Sequence, residues 1–313
     1  MIQIKKSEDK INNRIFMDEK YKQDFIQAGK LANQVRQFGK SLIQKGASYN
    51  DVIRQINQKI VDLGARAAFP PQIALNEVAA HFLPQPDEDI IFSDQVVKLD
   101  VGICYQGAIG DCAVTVDLSG KHQILIDAAE SALMNAEKSL KVGMPVREIG
   151  KIIEDTIVSY GLSPIRNLAG HGLGYYKVHM PPMIPNYNDR STAVIKPGMT
   201  FAIEPFATNG KGSIYDAGNP TIFSFVRAKP IPLSVNRQLI SHIKSFSGLP
   251  FSIHDLMISG LSLLELRKNV SELLKAKVLE GYAPLIDEGH GLVAQAENSV
   301  LVDKSGQILI TTR

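Results

Sequence analysis

The sequence predicts an α+β fold in which two related αβ halves flank one sheet. Three observations predict it. Residues 96–120, VVKLDVGICYQGAIGDCAVTVDLSG, alternate with the period-two pattern of a β-hairpin. FSDQVVKLDVG and IKPGMTFAIEP are each a turn followed by a buried strand with an acid near its end. A pair of helical patterns precedes each of these two segments.

In chain order, residues 1–20 read as an irregular lead-in. Residues 21–45 carry apolar side chains at 25, 28, 31, 32, 35, 38 and 42, a helical stripe ended by Gly46. Ser48 or Asn50 caps a second helix that runs to Gly64. Phe69-Pro70-Pro71 breaks the chain, and ALNEVAAHFLP leads into the hairpin. Residues 121–142 and 145–160 form the second helix pair, ended by Gly143 and Gly161, with Pro145 near the start of its second member. NLAGHGLGYYKVHMPPMIPN is punctuated by glycine and proline. KPGMTFAIEPFA is a turn and a buried strand stopped by Pro205. A mixed, more helical segment occupies 223–290. LVAQAENSVLVDKSGQILITT closes the chain as two strands around a Ser305-Gly306 turn.

Composition narrows the function classes. The 313-residue chain has a formal charge of +2 and 44% hydrophobic residues, values of an ordinary globular protein large enough for a sizeable core. No run of five or six like charges occurs, which argues against a nucleic-acid or membrane footprint. Cys104 and Cys112 are too few for a disulfide framework, and no apolar leader or stretch of 18 apolar residues is present. A cytoplasmic location is expected. The chain lacks G-x-S-x-G, Walker A, H-E-x-x-H and C-x-x-C patterns.

The hairpin raises a chemical question, because Asp100 lies in one arm and Asp111 in the other. With the turn centred between Tyr105 and Gln106, the two oppose directly, their Cβ atoms roughly 4.5–5.5 Å apart. Such carboxylates share a proton or hold a cation between them; a bulge or a solvent-facing polar stripe is the bland reading. Glu204 in TFAIEPF and Glu297 in VAQAENSVLV also sit among apolar neighbours. Acids are seldom buried unless paired, and the sequence offers no comparable set of buried cations. Four such acids therefore suggest a metal cage. His171, flanked by glycines, supplies a fifth ligand. A carboxylate-rich set with one imidazole suits Mn, Fe(II) or Co, with Zn also admissible. Five ligands exceed the needs of one ion with an open position, whereas two ions about 3.5–4 Å apart, bridged by carboxylates and a hydroxide, use them all. His81 and His179, in apolar or proline-flanked stretches, are expected around the substrate. His122, His242, His254 and His290 fit ordinary surface contexts.

LDVG, the spacing between Asp100 and Asp111, GHGLGYYKVH, FAIEPFAT and AQAEN occur in the order found in the methionine aminopeptidases. The chain after residue 20 resembles them, and more broadly the pita-bread metallopeptidases. The long segment between Glu204 and Glu297, together with AFPPQIALNEVAAHFLP, is similar to the type II enzymes in their short archaeal form. The resemblance implies a pita-bread fold with two pseudo-symmetric halves around a curved antiparallel sheet. It places the catalytic domain at 1–222 and 291–313 and a mostly helical, winged-helix-like insertion at 223–290. It implies a dinuclear site, with Asp100 on one ion, Asp111 and Glu297 bridging, and His171 and Glu204 completing it. Phe69, Val178, His179 and Tyr282 match walls of the methionine pocket, and His81 a position near the catalytic centre. Three positions depart from the family pattern. Cys112 stands where Thr is usual, HMPPMIPN is altered beside His179, and Asn298 replaces a usual His. Asn298 directly follows Glu297, so on a strand it points to the opposite face.

The implied activity is removal of the initiator methionine from nascent chains whose second residue is small. A hydroxide held between the ions is the expected nucleophile, Glu204 the proton carrier, and His179 and His81 the donors to the carbonyl or oxyanion. Asp100 is expected near the substrate α-amine. Nascent N-termini are the expected partners, with the ribosome a further one, and neither a specific nucleic acid nor a membrane is expected. One rival is a prolidase or aminopeptidase P, which usually carries an additional N-terminal domain. Another is a non-catalytic homologue that binds ribosome or RNA, in which ligands are typically lost.

Overall fold

The computed structural model describes residues 18–226 and 229–313, so the expected lead-in lies outside the described residues as far as residue 17. Asp18 accepts a hydrogen bond from Tyr21 N at 2.7 Å and opens α1, Glu19–Leu42. Ser48 caps α2, Tyr49–Asp62, in the same way through Asp51 N, as its side chain predicts. The first half continues with β1 (Arg66–Ala67), β2 (Gln72–Leu75), β3 (Val78–Ala80), β4 (Val96–Tyr105) and β5 (Ala108–Asp117). The second helix pair is α3, Gln123–Ser139, and α4, Val146–Ser159. After it come β6 (Ser163–Pro164), β7 (Ala169–Gly174), β8 (Lys177–Pro185), β9 (Thr200–Ile203), β10 (Phe206–Thr208), β11 (Ile214–Asp216) and β12 (Ile222–Phe225). The helical stretch holds α5 (Arg237–Ser245), β13 (Phe251–Ser252), α6 (Ile253–Leu256), α7 (Leu263–Lys275) and β14 (Leu279–Tyr282). The chain returns through β15 (Leu285–Asp287), β16 (Val293–Gln295), β17 (Asn298–Val302) and β18 (Ile308–Ile310).

Two halves are visible in the packing. The apolar faces of α1 and α2 cover Val97, Leu99, Val101 and Ile103 of β4 and Cys112 and Val114 of β5. The corresponding faces of α3 and α4 cover Phe201, Ile203 and Val300. The sheets beneath are β2-β4-β5, with β1 on the β2 edge, and β18-β17-β9-β7-β8. They meet at the antiparallel bridge Ala113↔Glu297. Phe223, Leu239, Leu256, Leu266 and Leu273 of the helical stretch form a core of their own.

Three expectations are corrected. The hairpin turn is Gln106-Gly107, with Tyr105 opposite Ala108 and positive φ at both turn residues, the primed two-residue geometry that suits twisted strands. Asp111 therefore faces Gly102, and Asp100 faces Ala113. The two acids keep a common face but are diagonal neighbours, at the wider spacing of roughly 7–8 Å between backbones. The strands are buried on both faces rather than one, since even Lys98 is 1% exposed. The closing segment makes three strands, not two, because the chain breaks at Ala296-Glu297 between β16 and β17.

Ala68 N still donates to Gly102 O at 2.8 Å, and residues 69–71, the Pro-Pro break, then bulge from the β4 edge before β2. Phe69 folds back over Gly102, where an added Cβ would lie 2.2 Å from the ring. On the opposite face, Gly110 lets α1 approach the hairpin, and a Cβ there would sit 2.4 Å from the Ala28 carbonyl oxygen. Because that neighbour is helix backbone, Gly110→Ala is expected to lower stability by about 1–3 kcal/mol. The shift in urea midpoint relative to the unsubstituted protein measures it, and an unchanged midpoint would refute this packing.

Candidate metal centre and its cavity

Antiparallel pairing sets the acids and the histidine in a row. Asp100 lies on β4 and Asp111 on β5. Glu297 bridges to β5 through Ala113 and directly precedes β17. The β17–β9 ladder pairs Asn298 with Ile203, so one further step places Glu297 opposite Glu204. His171 lies on β7, which pairs with β9 through Gly172↔Phe201. Five neighbouring chain segments thus each present one ligand-type side chain, and all five line a single cavity of about 150 Å³.

The distances within the row are short. Ligand atoms of Asp111, His171 and Glu297 lie within 4.8 Å of one another, and all three residues are buried. His171 Nε2 is 3.8 Å from Asp111 Oδ2 and 3.7 Å from Glu204 Oε1. Its Nδ1 lies 3.4 Å from the Gly172 carbonyl oxygen. With the proton on Nδ1, the Nε2 lone pair faces the carboxylates. Burial and the nearby His179 push the His171 pKa down to about 3, so the ring is neutral.

The carboxylates move the other way. Burial raises Asp100 to about 7, and raises Asp111, Glu204 and Glu297 well above the ordinary range, with mutual repulsion adding to each of these three. Asp100 Oδ1 and Asp111 Oδ1 are buried without a hydrogen-bond partner. Among the described residues no Lys or Arg lines the cavity. Buried oxygens with neither donor nor cation fit a divalent metal, which would pair them and draw the carboxylates back to their charged form.

The other expected residues surround this row. Phe69 and Val178 are 6% and 5% exposed and form apolar wall, with Tyr282 at the rim. The His81 and Tyr282 rings meet edge-on at 5.7 Å, and those of His171 and His179 at 4.2 Å. His81 has φ of 60°, and burial together with His179 lowers its pKa to about 4. His254 and His242 lie outside the cavity and contact backbone carbonyls of Pro84 and Asp255. Cys112 faces the core under α1 and α2, its thiol pushed up to about 12 by burial, so its replacement of Thr leaves the cavity face unchanged.

Several supporting residues escape sequence reasoning. The Gln295 amide reaches Glu297 Oε2 at 3.3 Å and also supports Asp100; its place two residues before Glu297, on the same strand face, is the signal that could have found it. The Ser299 hydroxyl accepts from Asp111 N and donates to Asp111 O, both at 2.8 Å. Arg36 is hidden in a helix read only for its apolar stripe. It donates to Glu297 O and Asn298 Oδ1 at 2.9 Å and to Thr312 O at 2.8 Å. Asn298 also accepts from Thr312 Oγ1 and donates to Glu137 Oε1 at 2.7 Å, and Glu137 pairs with Arg313. The Asn298 side chain thus points away from the metal row and ties the Glu297 strand to α1 and α3.

The sequence profile described as metallopeptidase family M24 matches residues 23–248. A methionine aminopeptidase of Thermococcus onnurineus is 36% identical over 301 residues, 94% of this chain and 100% of that protein. One from Methanocaldococcus jannaschii is 38% identical over 290 residues, 92% of this chain and 97% of that protein. Among solved structures, a methionine aminopeptidase of Thermotoga maritima aligns with a TM-score of 0.68 at 21% identity, covering 95% of this chain and 98% of the other. A prolidase of Pyrococcus furiosus aligns at 0.61 and 17% identity, covering 96% of this chain and 66% of the other. The two structures share the pita-bread fold described above.

Two expectations follow. Asn298→Ala leaves Arg36 and Glu137 short of buried partners, a loss of about 1–3 kcal/mol readable as a lower urea midpoint; wild-type stability would mean the network is idle. Carboxylates whose folded pKa exceeds the unfolded value favour folding below the ordinary carboxylate range, roughly pH 4, and lose that contribution as pH rises through the folded pKa, about 7 for Asp100. Chelator-treated protein should therefore lose stability between pH 5 and pH 8, with a slope of up to about 1.4 kcal/mol per pH step of one for each carboxyl still holding its proton, and added divalent ions should abolish the loss. A midpoint independent of pH in chelator would contradict carboxylate repulsion.

Proposed function

We propose a reaction for this chain from one premise: it belongs to metallopeptidase family M24. It is a type II methionine aminopeptidase that hydrolyses the first peptide bond of nascent proteins and peptides whose second residue is small. One observation carries this reading. Five ligand-type side chains converge in a cavity whose other walls are largely apolar, in a chain aligned nearly end to end with methionine aminopeptidases.

Asp100, Asp111, His171, Glu204 and Glu297 would hold two divalent ions drawn from Mn, Co, Fe(II) and Zn. Bound there, such ions supply Lewis acidity and a water that deprotonates near neutral pH. Glu204, whose carboxyl is raised by burial and by its acidic neighbours, is the candidate to take a proton from the attacking water and pass it toward the leaving amine. His81, neutral by its lowered pKa, and His179 donate hydrogen bonds toward the scissile carbonyl oxygen. Asp100 faces the substrate α-amine. Phe69, Val178 and Tyr282 offer the apolar and aromatic surface that a thioether prefers. In this reading residues 223–290 are an insertion with its own core, next to a catalytic domain of 1–222 and 291–313. Pro250 within the insertion and Ile222 just before it contribute to the cavity wall. Among the described residues no helix is long and apolar enough to cross a membrane. A cytoplasmic place beside newly made chains, with the ribosome as a further partner, suits this substrate.

The test is release of methionine from Met-Ala-Ser by protein loaded with Mn or Co, against Xaa-Pro peptides. Asp111→Asn and Glu297→Gln should keep their circular dichroism. They should lose bound metal by elemental analysis, and activity by more than the roughly 10–100-fold that outer partners typically carry. Preference for Xaa-Pro, or full activity in either variant, would overturn the assignment.

A further inference from the structure

Gln72 lines the cavity, yet neither the ligand row nor the histidine pair gives it a role. It is 6% exposed and sits on β2 directly opposite Asp100, three residues after Phe69. The orientation of its amide is settled by its neighbour. Gln72 Oε1 accepts from His81 N at 2.7 Å, and a backbone N–H can only donate, so the oxygen must be the atom at that end. The nitrogen, with its two donors, is thereby committed to the other direction. It makes no hydrogen bond among the described residues. Asp100 lies across the strand pair without a hydrogen bond to it, and Phe69, Val178, Phe206 and Ile222, which carry no acceptor, form apolar lining of the same cavity.

An oriented donor that sits between the ligand row and the apolar part of the cavity wall discriminates among occupants, because a site built to hydrogen-bond disfavours an analogue that cannot accept. We propose that Gln72 is a specificity-determining residue whose Nε2–H donors engage an acceptor on the first side chain of the substrate. This rests on the aminopeptidase reading above and adds a substrate class to it. The preferred side chains are unbranched and carry an acceptor where methionine has sulfur. A thioether is a weak acceptor and a sulfoxide oxygen a strong one, so peptides beginning with methionine sulfoxide become substrates beside those beginning with methionine. Norleucine, the hydrocarbon of the same shape, gains nothing from the donor.

The experiment compares kcat/KM for Met-Ala-Ser, methionine-sulfoxide-Ala-Ser (both epimers) and norleucyl-Ala-Ser in metal-loaded wild type, Gln72→Leu and Gln72→Glu. Leu removes the donor, and Glu removes it while keeping an acceptor for His81 N. The expected result is a sulfoxide-to-norleucine ratio that falls about 10–100-fold in both variants, with the norleucine peptide cleaved at least as well by Gln72→Leu as by wild type. Equal losses on all three peptides, with the ratio unchanged, would make Gln72 a support for His81 and overturn the inference while leaving the aminopeptidase reading intact. A wild type that cleaves none of the three peptides would overturn that reading, and the inference with it.

Discussion

Four carboxylates that repel one another in a shared, buried cavity are the constraint around which the chain is arranged. Burying one unpaired carboxylate is already unfavourable by several kcal/mol, and the fold brings Asp100, Asp111, Glu204 and Glu297 together with no Lys or Arg among the described residues that line their cavity. Three of the acids are anchored through the backbone around them. Ser299 brackets the peptide of Asp111, Arg36 takes the carbonyl of Glu297, and the β17–β9 ladder holds the chain up to Glu204. The anchoring keeps the side chains from relieving their repulsion by moving apart. Strain of this kind makes the protein's own stability answer to a cation.

Much of the site was legible because its chemistry is costly to bury. An acid among valines and isoleucines stands out without knowledge of the fold, and four of them with His171 pointed to one cluster. The helix pairs were equally legible from apolar spacing and from the caps at Ser48 and the glycines at 143 and 161. Pairing geometry was harder to read. The hairpin register depends on which two residues take positive φ, and Gln106 gives no sign that it does so. The offset matters, since diagonal acids leave room that directly opposed ones would not.

Other features were hidden by habits of reading. Residues 167–186, read only as punctuated by glycine and proline, contain the β7–β8 hairpin. Gly170 and Gly172 are there because Ala202 and Pro181 carbonyl oxygens lie where a Cβ would stand, 2.3 and 2.4 Å away. Arg36 went unnoticed because a helix stripe is counted by its apolar members. Gln72 went unnoticed because one polar residue in a short strand carries no periodic signal.

The tie from Arg36 to Glu297 joins residues 261 positions apart, and this bears on how the protein comes into being. Glu297 is the last of the five row members to be synthesised. Until it arrives, the half containing Asp100 and Asp111 has an open edge at β5 and two diagonal acids on one uncovered face. Contacts of such long sequence separation form slowly, after the loop-closure entropy has been met. The five-member row is complete only where the second half closes on the first and Arg36 holds the returning strand. A chain that stops short of Glu297 lacks one of the five ligand-type side chains, so the complete row is a property of the whole native topology.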